Sequence, residues 1–146
     1  MDEHLKHAPH KVYCIKYHIM FCVKYRKDLF LNDEYTTYLK TLLLEIGKRY
    51  FLTFETIGVD EDHVHMLVQS VPKYSPSRVI QIVKSITAKE MFKAFPLIRD
   101  QLWGGEFWSD SGYIGTVGEG INADIIRNYI KNQGRNIDQL KLSDFN

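Results

Sequence analysis

The sequence predicts an α+β protein built on a ferredoxin-like antiparallel sheet, with elements in the order βαββαβ and a further C-terminal helix. Two observations support this fold. Segments rich in β-branched and aromatic residues alternate with segments whose apolar residues recur at helical spacing. Glycine, proline, asparagine and aspartate stand between these segments, where the chain has to turn. We therefore expect the two helices of the βαββαβ unit to cover one face of the sheet and to leave the other face free.

The first strand and the first helix are predicted from residue type and capping. Residues 12–23 (VYCIKYHIMFCV) are mostly β-branched, aromatic or otherwise apolar, so we expect one long strand there. Asn32 or Asp33 then supplies the side-chain oxygen that caps a helix. Helical periodicity covers 35–46, and the single glycine that follows gives no clear stop, so the helix can continue to Tyr50.

A hairpin and a second helix come next. Residues 51–59 and 63–70 resemble strands, and the acidic segment between them suits a hairpin turn. A helix follows from about Pro76 to Ala94, because a serine at its start can cap it and its apolar residues fall mostly on one face. Pro96 ends this helix.

The last predicted elements are a strand and a helix. Residues 107–117 form an aromatic, glycine-interrupted strand or hairpin. Residues 122–133 form a helix that Asn122 caps and Gly134 terminates. The polar segment 135–146 packs loosely or reaches a partner.

Composition narrows the class of protein. The 146 residues are 45% hydrophobic and 25% charged, which is ordinary for a globular protein and predicts one domain over 1–146. No apolar run approaches the roughly 18 residues that a membrane span needs, and the N-terminus lacks the apolar core of a signal peptide. We expect a cytoplasmic protein that does not enter the membrane.

Two histidines stand two residues apart in the strand predicted at 63–70. His63 and His65 share one face of that strand, with Cα atoms roughly 7 Å apart, while Val64 faces the core. Imidazole is the commonest metal ligand, and two of them leave positions for a third protein ligand and for substrate oxygens. A pair of hydrogen-bonded structural histidines is the alternative. A carboxylate of Asp60-Glu61-Asp62 could tune or join a metal site, or simply form the turn.

The predicted last helix carries Tyr129 and Gln133 at positions i and i+4, one above the other on one face. A helical tyrosine usually belongs to the core, and a glutamine is usually solvated. Beside a histidine pair, however, Gln133 can add an amide oxygen as the third ligand, and Tyr129 would lie near whatever the metal polarises. Such a site suits phosphodiester chemistry, because the metal keeps a positive charge and open positions for a phosphate oxygen.

Taken together, these motifs resemble the single-tyrosine transposases of the IS200 type, which are HUH nucleases, named for histidine, hydrophobic residue, histidine. The resemblance covers nearly the whole chain. In chain order, the matching segments are an opening strand with a basic end (17–26), the metal strand (62–68), a glycine-aromatic segment in two parts (103–109 and 115–118) and the nucleophile helix (129–133).

The resemblance implies a mechanism. Tyr129 attacks a phosphodiester in single-stranded DNA, forms a 5′-phosphotyrosine link and frees a 3′-hydroxyl, while His63, His65 and Gln133 hold Mg²⁺ or Mn²⁺. A 3′-hydroxyl of another strand then reverses the step. Family members are homodimers that bind DNA hairpins at the ends of mobile elements. The active helix can reach the metal strand of the other subunit, so the resemblance also implies that Tyr129 can act in trans.

The net charge of +1 is low for an enzyme that handles DNA, so DNA binding has to depend on local basic residues. Lys24, Arg26 and Lys27 follow the first strand and enclose the aromatic Tyr25, a pattern that suits nucleic-acid contact. Lys131 adds a cation on the last helix. A solvated strand edge is the alternative interpretation of the cluster at 24–27.

Three other functions remain to be distinguished. A histidine-triad nucleotide hydrolase also uses alternating strand histidines, but its motif requires a further histidine where this chain has Leu67. A non-catalytic nucleic-acid-binding module would stack bases on Tyr17, Phe21 and Tyr25, and would leave the histidine pair without a purpose. A domesticated relative that cleaves repeated chromosomal hairpins would share every motif, so only the flanking DNA would distinguish it.

Overall fold

The computed structural model describes residues 6–8 and 11–117. The elements in chain order are β1 (Lys6–Ala8), β2 (Lys11–Tyr13), β3 (Lys16–Val23), α1 (Asp33–Tyr50), β4 (Thr53–Asp60), β5 (His63–Gln69), α2 (Pro76–Ala94), α3 (Leu97–Gln101) and β6 (Trp108–Thr116). From β3 onward, the two long helices and four strands follow the predicted βαββαβ order. The helix predicted at 122–133, with Tyr129, Lys131 and Gln133, lies outside the described residues, as does the polar segment 135–146.

Four strands form the main sheet in the spatial order β4-β5-β3-β6, and every neighbouring pair is antiparallel. This arrangement confirms the ferredoxin-like prediction. The predicted hairpin is also present, because Asp60 pairs with His63 and leaves Glu61 and Asp62 as a two-residue turn. β5 and β3 are the two central strands, and their register places Met20 opposite His65 and Cys22 opposite His63.

The two long helices cover one face of the sheet, as predicted. β3 and β5 alternate, so that every second side chain enters a single apolar core together with residues from both helices. The core residues from these four elements include Ile19, Phe21, Val64, Met66, Val68, Leu39, Leu43, Val79 and Val83.

The opposite face, which carries His18, His63 and His65 and is called here the histidine face, is not free as predicted. His63 is 2% exposed, and His18 and His65 are 1% exposed. One reason is that β6 and the residue after it cover part of this face: Tyr113 stacks on His18, and Val117 packs against Leu67. The polar residues of this face are therefore enclosed rather than presented as an open platform.

The prediction of one strand over 12–23 is wrong in one respect. The chain forms two strands, β2 and β3, with Cys14 and Ile15 between them. The division arises because β2 pairs with β1 in a separate two-stranded sheet, whereas β3 joins the main sheet. The Ile15 carbonyl accepts a hydrogen bond from Ser70 N (2.8 Å), which fixes the point where the chain changes partner.

Side-chain caps determine where the long helices begin. The Asn32 side chain accepts hydrogen bonds from the backbone N–H groups of Glu34 and Tyr35 at 2.9 and 3.2 Å, and Ser75 does the same for Arg78 at 3.1 Å. The predicted extension of α1 to Tyr50 is confirmed. The short helix α3 after Pro96 was not predicted.

Within the described ranges, none of the helices combines the length and the hydropathy needed to cross a bilayer. The cytoplasmic location and the single domain over 1–146 stay predictions.

Gly47 lies inside α1 because the chain after the helix returns close to it. A Cβ atom at this position would lie 2.5 Å from the Leu52 carbonyl oxygen. Alanine is intrinsically better than glycine in a helix by about 1 kcal/mol, but the backbone contact opposes this gain. We expect Gly47→Ala to lower the free energy of unfolding by about 1–3 kcal/mol in urea titrations.

The matched control is Thr41→Ala, on the exposed side of the same helix, which should change stability by no more than about 0.5 kcal/mol. A Gly47→Ala protein as stable as the wild type would show that the close approach of the Leu52 carbonyl does not prevent a side chain at position 47.

Candidate active site

The rings of His63 and His65 converge on one point of the histidine face. Their Nε2 atoms are 2.9 Å apart, and the ring planes are nearly perpendicular (85°). β5 produces this arrangement, because its two-residue period directs both side chains to the same face. The structure therefore brings together the two residues that the sequence predicts as metal ligands.

Asp62 orients the first of these rings. Its Oδ1 atom lies 2.8 Å from Nδ1 of His63, so the ring donates its Nδ1–H to the carboxylate and keeps a lone pair on Nε2. A carboxylate behind a ligating imidazole fixes the tautomer and the orientation of the ring. Asp62 contacts the ring nitrogen opposite to the converging one, so it orients His63 from behind the pair.

Arg26 holds the carboxylate from the other side. Its Nε donates to Asp62 Oδ2 at 3.0 Å, so the two carboxylate oxygens are divided between His63 and Arg26. Burial alone would raise the pKa of Asp62, but the hydrogen bonds from His63 and Arg26, together with the charge of Arg26, outweigh it and lower the pKa below its usual value. The carboxylate is therefore charged at neutral pH.

An unusual backbone turn places Arg26. Tyr25 and Arg26 both adopt left-handed conformations, with φ of 59° and 51°, which cost of order 1 kcal/mol or more for each non-glycine residue. Hydrogen bonds hold this segment on both sides: Lys24 N donates to the Phe107 carbonyl, and Tyr25 Oη donates to the Trp103 carbonyl, at 2.8 and 3.3 Å.

The residues on both sides of this turn are tied to the hairpin that carries Asp62. Val23 N donates to the Asp62 carbonyl at 2.8 Å, and Phe30 N donates to the Glu61 carbonyl at 2.9 Å. The turn at 24–26 and the acidic turn at 61–62 are therefore held together through the backbone as well as through the Arg26 side chain.

Of the basic residues predicted to contact DNA, two form ion pairs with the protein itself. Arg26 pairs with Asp62, and Lys24 Nζ lies 2.8 Å from Glu106 and 4.0 Å from Asp110. The hydrogen bond to Glu106 raises the pKa of Lys24. Lys27 is exposed, and Lys131 lies outside the described residues.

The separation of the two imidazoles fits a divalent cation. Two cis ligands at about 2.1 Å in an octahedral site are about 3.0 Å apart, close to the 2.9 Å between the Nε2 atoms. Without a cation, one Nε2 has to donate its proton to the other, and because Asp62 fixes the tautomer of His63, the donor is His65. In the part of the chain that the structure describes, no three His, Cys, Asp or Glu side chains form a metal-binding group.

The far end of the histidine face contains a second polar group. The Lys16 ammonium lies 3.2 Å from Glu55, which also accepts a hydrogen bond from Gln69 at 3.1 Å. An irregularity in the β4–β5 register between Phe54 and Thr56 directs Glu55 toward these residues. A groove of about 660 Å³ lies near this end, lined in part by Gln69, and the histidine pair is not among its lining residues.

An antiparallel sheet in this order, with an H-x-H pair converging on its face, agrees with the fold and the histidine pair expected of an HUH nuclease. The sequence profile of the family described as "Transposase IS200 like" matches residues 11–133. The chain belongs to this family of transposases, enzymes that cleave and rejoin DNA.

Individual relatives agree with this assignment. The chain is 37% identical to the ISDra2 transposase TnpA of Deinococcus radiodurans, over 84% of this chain and 86% of the relative. It is 31% identical to the transposase for insertion sequence element IS200 of Salmonella typhimurium, over 88% and 82%.

Two solved structures share the fold. A crystal structure of a Deinococcus radiodurans protein assigned as a transposase superposes with a TM-score of 0.71 at 34% identity, over 88% of this chain and 97% of that one. A REP-associated tyrosine transposase bound to a REP hairpin has a TM-score of 0.58 at 14% identity, over 80% and 64%, and shows similarity of fold alone.

Sequence reasoning left the role of Asp62 open and assigned Arg26 to DNA. The position of an aspartate directly before His63, at the end of a two-residue turn, is a signal that could have identified the orienting carboxylate. No sequence pattern indicates that Arg26 contacts it, because that contact depends on the left-handed turn at Tyr25 and Arg26.

His18 makes stability depend on pH. Burial lowers its pKa to about 4, whereas an unfolded histidine has a pKa of about 6.5. Between these values the unfolded chain binds a proton that the folded chain does not, so stability that is present above about pH 6.5 is lost as the pH falls through this window. We expect protonation of His18 in the unfolded chain to lower the free energy of unfolding by about 2 kcal/mol from pH 7 to pH 5.

Urea unfolding of the wild type and of His18→Gln at both pH values measures this contribution, since glutamine does not titrate. An identical loss in the two proteins would show that another group is responsible.

Proposed function

We propose that this transposase cleaves and rejoins single-stranded DNA at hairpin-bearing ends of its element through a 5′-phosphotyrosine intermediate. Tyr129 is the proposed nucleophile, and His63, His65 and Gln133 are the proposed ligands of Mg²⁺ or Mn²⁺. The observation that supports this most directly is the 2.9 Å separation of the Nε2 atoms of His63 and His65. The Asp62 carboxylate orients the His63 ring in this pair. Membership of the IS200-like family supports the DNA chemistry.

The chemistry balances without an external energy source. The Tyr129 hydroxyl loses its proton, and its oxygen forms a bond to the phosphorus of the scissile phosphodiester. The bond from phosphorus to the 3′ oxygen breaks, and that oxygen takes up a proton to become a free 3′-hydroxyl. Attack by the 3′-hydroxyl of another strand reverses these bond changes and releases the tyrosine, so the number of phosphodiester bonds is conserved.

The chain contributes position and electrostatics to this step. A phenol with its ordinary pKa of about 10 is a weak nucleophile at neutral pH, so it requires a charged environment at the phosphate. A divalent cation held by this ligand set would neutralise charge on a non-bridging phosphate oxygen. The histidine pair on the central strand β5 would fix the position of this cation, because Asp62 holds the His63 ring in one orientation.

The proposed DNA partner is a single-stranded hairpin, and the proposed assembly is a homodimer in which Tyr129 can act on the histidine pair of the partner subunit. Lys27 and Lys131 remain candidate phosphate contacts, whereas Lys24 and Arg26 would have to share their charges with carboxylates of the protein. The similarity to a hairpin-bound REP-associated transposase keeps a domesticated, repeat-processing role as the second candidate.

The nucleophile is tested by Tyr129→Phe, which removes one oxygen atom. We expect this variant to lose all covalent attachment to a 5′-extended hairpin oligonucleotide in Mg²⁺, because phenylalanine cannot attack phosphorus. Hairpin affinity should change by less than about threefold, since a single neutral hydroxyl contributes little to phosphate binding. The SDS-resistant adduct is measured on denaturing gels, and affinity by fluorescence anisotropy.

Tyr38→Phe is the matched control, because Tyr38 lies on α1 and packs edge-on against Phe95. This control should form the adduct at the wild-type rate. An undiminished adduct from Tyr129→Phe would remove Tyr129 as the nucleophile.

The metal role is tested by His65→Ala. Cleavage at ordinary Mg²⁺ concentrations should fall by at least about 100-fold, because one imidazole cannot replace the convergent pair. Mixing His65→Ala with Tyr129→Phe then distinguishes the two assemblies. If Tyr129 acts in trans, mixed dimers contain one intact site and cleavage returns, whereas in cis every site stays defective. Full cleavage by His65→Ala alone would contradict the metal role.

A further inference from the structure

We infer that Arg26 is a positioning residue for the histidine pair, acting through Asp62, rather than a residue that contacts DNA. The inference rests on the proposed metal role of His63 and His65. It assigns a function to the basic turn that the proposed chemistry does not otherwise use.

The contacts form a continuous chain into the site. Arg26 Nε donates to Asp62 Oδ2 at 3.0 Å, Asp62 Oδ1 accepts from His63 Nδ1 at 2.8 Å, and His63 Nε2 lies 2.9 Å from His65 Nε2. Asp62 uses one carboxylate oxygen for Arg26 and the other for His63, and His63 uses one ring nitrogen for Asp62 and the other for His65. The three contacts therefore do not compete for the same atom. With one carboxylate oxygen held by Arg26, the other is directed at the imidazole, and rotation of the carboxylate is prevented.

The side chains become more buried toward the histidines. The Arg26 side chain is 47% exposed, that of Asp62 is 14% exposed, and that of His63 is 2% exposed. Arg26 is therefore the outermost member of this chain of contacts. A charged residue at this level of exposure that served only DNA would not need a fixed partner on its own protein.

The backbone favours this role for Arg26. A left-handed conformation at two successive non-glycine residues persists only where the surroundings require it, and it brings the Arg26 side chain back toward the hairpin. The backbone N–H of Val23, just before the turn, also donates a hydrogen bond to the Asp62 carbonyl of the hairpin at 2.8 Å. The turn therefore holds the guanidinium at a defined distance from Asp62, which a flexible phosphate-binding lysine or arginine does not require.

The test measures metal binding and ring tautomer in the full chain without DNA. Histidine-selective ¹H–¹⁵N spectra of the metal-free protein report the Nδ1–H of His63, and titration with Mn²⁺ alone reports its affinity through paramagnetic broadening. The proteins are the wild type, Arg26→Gln, Asp62→Ala, the double variant, and His65→Ala. Arg49→Gln is the matched control, since Arg49 is exposed and lies near the end of α1. If Asp62→Ala does not fold, Asp62→Asn replaces it.

Asp62→Ala should weaken Mn²⁺ binding by about 10- to 100-fold, and Arg26→Gln by a smaller factor, on the order of threefold or more. The double variant should match Asp62→Ala within about twofold, because the inferred effect of Arg26 on the histidine pair passes through that carboxylate. Both single variants should alter the His63 tautomer signal, and Arg49→Gln should alter nothing. Hairpin affinity measured in EDTA should be the same for Arg26→Gln and Arg49→Gln.

Two results would overturn the inference. Unchanged Mn²⁺ affinity and tautomer in Arg26→Gln, with hairpin affinity in EDTA reduced, would make Arg26 a DNA contact. A double variant much weaker than Asp62→Ala would show that Arg26 acts by another route. Wild-type Mn²⁺ binding by His65→Ala would instead contradict the proposed function, so the two failures are distinguishable.

Discussion

The register of β5 between β3 and β4 is the constraint on which the rest of the structure depends. With Met66 opposite Ile19, the odd-numbered histidines face away from the helices and the even-numbered apolar residues face toward them. Because side chains alternate along a strand, a slip by one residue would place both imidazoles in the apolar core and Val64, Met66 and Val68 on the polar face. The packing free energy that selects the core register thus also fixes the convergence of the histidine pair.

The acidic turn contributes to the register and to the chemistry at once. Glu61 and Asp62 close the β4–β5 hairpin in two residues, and their carbonyls accept hydrogen bonds from Phe30 and Val23. Of the carboxylates at 60–62, Asp62 is the one placed behind His63. A longer turn would loosen both the register and this contact.

Sequence patterns predicted the parts of the molecule that depend on local periodicity. The alternation along 63–69 predicted the strand and the shared face of the two histidines, and the capping candidates Asn32 or Asp33 and a serine before α2 predicted the helix starts to within a residue or two. The break at Cys14 and Ile15 was missed because it depends on pairing with β1, a nonlocal choice of partner. Similarly, the enclosure of the histidine face depends on where β6 places Tyr113, and the contact of Arg26 with Asp62 depends on a backbone conformation that its residue types disfavour.

Two of the basic residues after the first long strand are paired with carboxylates of the protein itself. Lys24 with Glu106 and Arg26 with Asp62 neutralise much of the basic cluster that the sequence displays after its first long strand. These carboxylates therefore compete with DNA phosphate for the same lysine and arginine side chains. The number of basic residues in this cluster is larger than the positive charge that is left to attract DNA. The contacts that orient His63 come from the same chain as the histidine itself. As a result, the geometry of the pair is the same whether the proposed nucleophile Tyr129 comes from the same subunit or, in the proposed homodimer, from the partner subunit.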